Sequence, residues 1–365
     1  GIPKLHRTIT GTLKTLSAKV LKHRVGTKCA KDDQRRVALE SADVFSNSYP
    51  NQINGQFRLS AAEAKTALQR KYGIPVSMLL KYEGEPIHTN GESHRLRVDC
   101  WGRNVAAAPG VSGDHARTTH DSMVTFTVSL LKDNGIISRG GGFGSVKGVF
   151  SMAINQSNIS PEDQRAVNGI LPDLQIDGRP LPSVEGVNDG NKLVGCITLG
   201  ENKTLSTQSE SVESRARRID PDIEKAAAAL DGKYPGSTVL EEKRKYGRNG
   251  KYLALVTGSL GNLSSDFAVV VELIASIQAI RASQWRTTSM GQLFSMYRRF
   301  LVSSFGLFAA RLWARHIHDR FRDAVAVVPA SDAPHFPDPD REATRDFHFR
   351  ARRAHHPGSC RNHRA

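Results

Sequence analysis

The sequence predicts an α+β protein: a β-rich, largely antiparallel central body, a C-terminal pair of long apolar helices and disordered basic ends. Three observations predict it. Short β-branched and aromatic runs recur between turn residues over 76–199. Two long apolar stretches with helical spacing follow, over 264–282 and 289–321. The net charge of +15 in 365 residues sits at the ends. Residues 1–36 hold ten Lys or Arg against two acids, and 305–365 hold eleven Arg against seven acids. The intervening chain is close to neutral. The expected organisation is therefore a basic arm over 1–40, a β-rich body over 41–203, an α-rich region over 204–324 and a disordered Arg/His/Pro-rich tail over 325–365. A hydrophobic content of 39% and a charged content of 24% exclude a wholly disordered chain. No apolar run approaches the ~18 residues of a membrane span.

The arm opens the chain. Leu5, Ile9, Leu13, Leu16, Val20 and Leu21 recur at helical spacing among Lys4, Arg7, Lys14, Lys19, Lys22 and Arg24. It reads as a basic amphipathic helix, either a nucleic-acid arm or an organelle leader. The chain starts at Gly1, as a processed product or a fragment does. No secretory apolar core is visible, and the four cysteines lack CxxC spacing. Reduced thiols inside a cell are expected, with no disulfide framework and no zinc site.

The body begins with a loop over 46–56. Ser60-Ala61-Ala62-Glu63 matches a capping box, and Gly73 is a stop signal, so 61–72 is a helix. Strands are expected over 76–82, 95–101, 123–131, 146–154, 174–176 and 193–199, with an exposed loop over 106–120. Asn134-Gly135 and Asp177-Gly178 have hairpin-turn chemistry. Asp220 before Pro221 reads as a helix start running to Gly232. Residues 241–251 read as a charged turn and 252–257 as a strand. Ser264 caps a helix over 267–282, and a last helix over 289–321 is bent near Gly306. Beyond Lys251 the chain has fifteen Arg and no Lys. Over 325–365 two readings stand: an Arg-rich RNA-binding tail, or a composition set by codon bias or a shifted reading frame. No site is placed there.

Catalytic motifs are incomplete. Residues 139–146, RGGGFGSV, are similar to the glycine-rich phosphate loop of protein kinases. Arg139 stands at the first glycine position, however, and Asn155 stands where the resemblance requires a phosphate-pairing lysine. No HRD-like loop and no DFG follow. A flexible hairpin end with Arg139 and Lys147 available to phosphate is the better account. A GxSxG elbow and a Walker A loop are absent. His115 and His120, flanked by Asp114 and Asp121, form a cluster able to bind a metal or supply a general base, though surface histidines in a solvated loop are commoner.

Basic clusters are the strongest functional signal. The first is Lys14, Lys19, Lys22, His23, Arg24, Lys28, Lys31, Arg35 and Arg36. The second is Arg215, Arg217 and Arg218. The third is Lys243, Arg244, Lys245 and Arg248 around Tyr246, and Arg298-Arg299 lie beside Tyr297. Such groups neutralise phosphates, and tyrosines stack on unpaired bases. Nothing specifies base readout. The expected function is a non-enzymatic RNA- or nucleic-acid-binding structural protein with weak sequence specificity and self-association. Its layout is similar to that of coat proteins, nucleoproteins and ribosome-associated proteins. No metal and no cofactor are expected. Two alternatives are kept. One is an enzyme using Asp99, His115, His120 and Asp121 near the glycine-rich loop. The other is a membrane-surface protein using residues 1–24 and 300–313.

Overall fold

A computed structural model describes residues 59–71, 74–89, 92–108, 115–146, 148–150, 159–183, 187, 189–205 and 212–325. The expected basic arm and the tail over 326–365 lie outside the described residues. Helix α1 is Ala61–Lys71. Its capping box forms as expected: Glu63 N–H donates to Ser60 Oγ at 3.2 Å, and Ser60 N–H donates to a Glu63 carboxylate oxygen at 2.8 Å. An antiparallel pair, β1 (Pro86–Thr89) and β2 (Glu92–Arg97), precedes the short helix α2 (Arg103–Ala107). Helix α3 is His115–Asp133 and strand β3 is Ile137–Gly140. Helix α4 (Pro161–Ile170) leads to β4 (Leu174–Asp177) and β5 (Ile197–Leu205). Helices α5 (Val212–Lys233) and α6 (Val239–Arg244) lead to β6 (Leu253–Gly258). Helices α7 (Ser265–Ser283) and α8 (Met290–Val325) complete the described chain.

The main sheet has the order β3-β4-β5-β6. The first three strands are antiparallel, and β6 runs parallel to β5. A parallel neighbour needs a crossover, which α5 and α6 supply. Every residue of β6 is buried, because both faces of the sheet are covered. Leu253 and Leu255 face a core made by Met123, Phe126 and Leu131 of α3 with α7 and α8. Ala254 and Val256 face a second core made with Val167 of α4 and Ile219, Ile223 and Leu230 of α5. The result is three layers, helix on sheet on helix. A third core joins Ile87, Val98 and Val105 to Trp313, Ile317 and Phe321 near the end of α8.

The fold is thus mixed α/β with two small sheets, and helix dominates. The largely antiparallel β-rich body is corrected by the runs that fold as helix. Residues 123–131 lie in α3. Their β-branched residues suited a strand, but Met123, Val124, Phe126 and Val128 pack against α7, α8 and the sheet. Asn134-Gly135 closes that helix instead of turning a hairpin. Gly135 N–H donates to Lys132 O and Ile136 N–H to Leu131 O, at 2.8 and 2.9 Å, with Gly135 at φ 72°. Residues 76–82 form turns and a single 3₁₀ turn that bury Val76 and Leu79. The loop expected over 106–120 contains the end of α2 and the first turns of α3. Residues 148–150 are a turn, and 151–154 lie outside the described residues. Asp220 does not cap α5, which starts at Val212 and carries Pro221 inside it. Asp220 instead accepts the Tyr252 N–H at 2.8 Å. The charged turn over 241–251 begins in α6, and α8 runs unbroken through Gly306. The pair of long apolar helices is present as α7 and α8. Among the described residues no helix is long and apolar enough to cross a membrane.

Candidate active site

The site forms where β4 begins, beside the middle of β5. The antiparallel register pairs Leu174 with Gly200. One residue further along, Asp173 falls opposite Glu201. Asn202 N–H donates to Asp173 Oδ2 at 2.7 Å, which fixes the carboxylate against the strand. Glu201 and Lys203 are two residues apart and share one face of β5. Lys203 Nζ pairs with Glu201 Oε1.

Helix α3 adds the third part. His120 Nε2 lies 3.0 Å from Asp173 Oδ2 and 3.1 Å from Asn202 O. Its Nδ1 lies 3.0 Å from Asp121 Oδ1. Burial opposes a charge on this imidazole, but the hydrogen bond and negative charge of Asp173, with Asp121, outweigh it. His120 is held protonated up to about 9. Glu201 is only 6% exposed. Burial, and then the neighbouring Asp173 carboxylate, push it up to about 7. Its Oε2 has no hydrogen-bond partner, nor have the side-chain amide atoms of Asn202, which is fully buried. Buried polar atoms are nearly always paired; the orphaned Glu201 Oε2 lies on the face of β5 shared with Lys203, and the orphaned Asn202 amide lies on the opposite face.

The glycine-rich loop starts at the same place. Gly140 pairs with Leu174, and a Cβ on Gly140 would come within 2.5 Å of Asp173 O. Gly140 also has φ 137°, so no other residue fits there without strain. The loop then runs against α3, where Gly142 N–H donates to Thr125 Oγ1 at 3.3 Å.

Of the cluster expected in the 106–120 loop, His120 and Asp121 are in the site, on a helix. His115 starts that helix, and its side chain lies outside the described residues. Asp99 is elsewhere: its carboxylate accepts the N–H groups of Trp101, Arg103 and Asn104. The basic clusters are dispersed. Lys14, Lys19, Lys22, His23, Arg24, Lys28, Lys31, Arg35 and Arg36 lie outside the described residues. Arg215, Arg217 and Arg218 sit on α5, and Arg217 and Arg218 are exposed. Lys243 is wholly buried, which removes it from any surface a phosphate can reach. Its Nζ donates to Asp220, Glu224 and Gly250 O at 2.8, 3.1 and 2.8 Å. Arg244, Lys245 and Arg248 are exposed, with Lys245 paired to Glu242 at 2.5 Å and Arg248 bonded to Asn191 O at 3.1 Å. Most apolar residues over 300–313 lie in the core, and Phe300 is exposed.

Asp173, Glu201 and Lys203 were missed by sequence reasoning. A signal was available. Glu-Asn-Lys continues the apolar strand run 193–199, and a strand that buries a carboxylate in mid-course needs a reason. A comparison with family models, curated proteins and solved structures gave no match. The site is therefore interpreted from its own chemistry.

Among the described residues no group of three or more His, Cys, Asp or Glu side chains is placed to hold a metal ion, so a cation here would rest on fewer protein side chains and on main-chain and solvent oxygens. The oxygen donors are the Asp173 and Glu201 carboxylates and the main-chain carbonyl of Asn202, with the protonated His120 hydrogen-bonded to two of them. An open, oxygen-rich set of this kind suits a hard divalent cation that keeps its waters and takes further oxygens from substrate. His120, held protonated, has no lone pair for a cation; its 3.0 and 3.1 Å contacts to Asp173 Oδ2 and Asn202 O are hydrogen bonds that orient those oxygens.

Proposed function

We propose that this protein is a divalent-cation-dependent phosphodiesterase acting on nucleic acid, with Mg²⁺ or Mn²⁺ held by Asp173, Glu201 and the Asn202 carbonyl. The observation that carries the reading is the buried Glu201 carboxylate, one oxygen unpartnered, beside a second carboxylate and a lysine. Two adjacent carboxylates repel, and a cation between them removes that cost.

The cation supplies charge at the phosphoryl oxygens and acidifies a bound water. The protein's groups do the rest. Asp173 is oriented by the Asn202 N–H. Asp121 accepts from His120 Nδ1, which turns Nε2 toward Asp173 Oδ2 and Asn202 O. Lys203 places its ammonium beside Glu201, where it offsets charge on the phosphate as the P–O bond breaks. Water supplies the hydroxyl that ends on phosphorus, and its proton balances the departing oxygen. Nucleic acid is the substrate class supported by the net charge of +15 and the basic arm. The absence of base-reading residues supports weak sequence preference. This reading keeps the expected nucleic-acid partner and favours the enzymatic alternative over the non-enzymatic role on the strength of the Glu201–Asp173–Lys203 cluster.

End-labelled oligonucleotides, single-stranded and duplex, test it. Cleavage in Mg²⁺ or Mn²⁺ that chelation stops, and that Asp173→Asn and Lys203→Met remove, is the expected result. Cleavage unaffected by Asp173→Asn, or none with either cation, contradicts it.

A further inference from the structure

The glycine-rich loop leaves β3 beside Asp173 and borders an open groove of about 630 Å³. That volume lies in the range of small-ligand clefts, ~300–1,000 Å³, and admits an unpaired nucleotide. Lys132, Arg139, Phe143 and Ser145 line it, together with Ile136 and with Ile137 at the start of β3. Phe143 is half-buried against the core, and Lys132 Nζ lies over its ring 5.0 Å from the centroid, so a base stacking there would displace the ammonium towards the phosphates. Arg139 is exposed, and no carboxylate among the described residues pairs with it. Gly144, at φ 116° and with open space where a Cβ would stand, brings bare backbone to the groove wall.

We infer that this groove is a subsite for single-stranded nucleic acid, which stacks one unpaired base on Phe143 and seats the adjoining phosphates on Arg139, Lys132 and the loop backbone. The inference rests on the phosphodiesterase reading and adds the form of the substrate. Its basis is the combination of aromatic ring, cations and bare backbone in one groove along β3 and the glycine-rich loop. A ring available to a base and cations available to phosphate are the two elements of sequence-tolerant single-strand binding. A duplex keeps its bases stacked on each other and has none to offer the ring. Gly140, next to Arg139 of the groove, packs against the Asp173 backbone, so the subsite and the carboxylate site are neighbours along β3 and β4.

The test measures binding of a fluorescent oligo-dT and of a duplex of equal length to the full chain in chelator, where no cleavage occurs. An oligo-U arm reports whether RNA is accepted alike. Loss of one base stack costs about 1–3 kcal/mol, roughly 5- to 150-fold in affinity. Phe143→Leu should weaken oligo-dT within that range and change duplex binding less than twofold, while Phe143→Tyr keeps wild-type affinity. Arg139→Ala should lower the slope of log affinity on log salt by ~0.7, the contribution of one single-strand phosphate contact. Arg139 is exposed, so its variant folds even where Phe143→Leu does not. Equal loss for duplex and single strand, or oligo-dT affinity within twofold of wild type for both Phe143→Leu and Arg139→Ala, overturns the subsite. Cleavage in Mg²⁺ and its loss in Asp173→Asn report separately on the phosphodiesterase reading.

Discussion

Two clusters of buried charge flank the same sheet, and they are built in opposite ways. Around Lys243 every donor is engaged: the wholly buried ammonium meets Asp220, Glu224 and the Gly250 carbonyl. Around Glu201 the polar groups are left incomplete. One carboxylate oxygen has no partner. Burying a charge is costly, and full hydrogen bonding is the usual compensation. Lys243 follows that rule and ties α5, α6 and the approach to β6 together. Glu201 departs from it next to Asp173, where a second negative charge makes the cost larger. The completed cluster is architecture, and the incomplete one is where the proposed cation would complete the coordination.

The contrast predicts opposite behaviour on mutation. Asp173→Asn should reduce cation-dependent cleavage about a thousandfold or more, as loss of several kcal/mol of cation-mediated stabilisation implies. The variant should still unfold cooperatively. Lys243→Ala should do the reverse. Removing one partner of a buried pair costs about 3 kcal/mol or more, so its urea midpoint falls. Cleavage measured where it remains folded is unchanged. An inactive but stable Lys243→Ala, or an unfolded Asp173→Asn, would break the distinction.

Titration sharpens it further in cation-free protein. His120 keeps its proton to about 9 in the fold, against 6.5 when free. Its contribution to stability is complete below 6.5 and lost as pH rises through about 9. Glu201, raised from 4.5 to about 7, also binds its proton more tightly in the fold. Its contribution likewise disappears as pH rises, between about 4.5 and 7. The urea midpoint in chelator should therefore decline across this range, and Glu201→Gln should flatten the decline below pH 7. A wild-type midpoint independent of pH would contradict these shifts. The smallest effect is structural: Ser60→Ala should cost about 1 kcal/mol through its capping bond to Glu63, with cleavage unaffected.

What the sequence made legible follows from how local the signal was. The Ser60–Glu63 box is a four-residue pattern, and α1 forms where it predicts. Ser264 and the apolar run behind it likewise locate α7. Residues 123–131 were misread because Val124, Thr125, Thr127 and Val128 favour strands, while the helix depends on distant partners. Phe126 stacks on Phe308 with ring centroids 4.1 Å apart, a contact across 182 positions that no window of sequence shows. The site was half legible for the same reason. His120 and Asp121 are neighbours in sequence and were seen as a cluster. Asp173 and Glu201 meet only through the β4–β5 register, so their proximity is a property of the sheet. Lys243 shows the converse error: a cationic run looked solvated, but the pairing that buries its middle residue comes from Asp220 and Glu224 on another helix.

Cation binding tests the central claim most directly, without reference to any substrate. Thermal unfolding of the full chain is followed as Mn²⁺ is titrated into wild type and into Asp173→Asn. A site on the folded state stabilises it by about 2.7 kcal/mol at a hundred times the dissociation constant, a readily measured rise in Tm. A saturable rise in wild type that is absent in Asp173→Asn is the predicted result. The same response in both proteins, or none in either, would show that Asp173 and Glu201 are not a cation site.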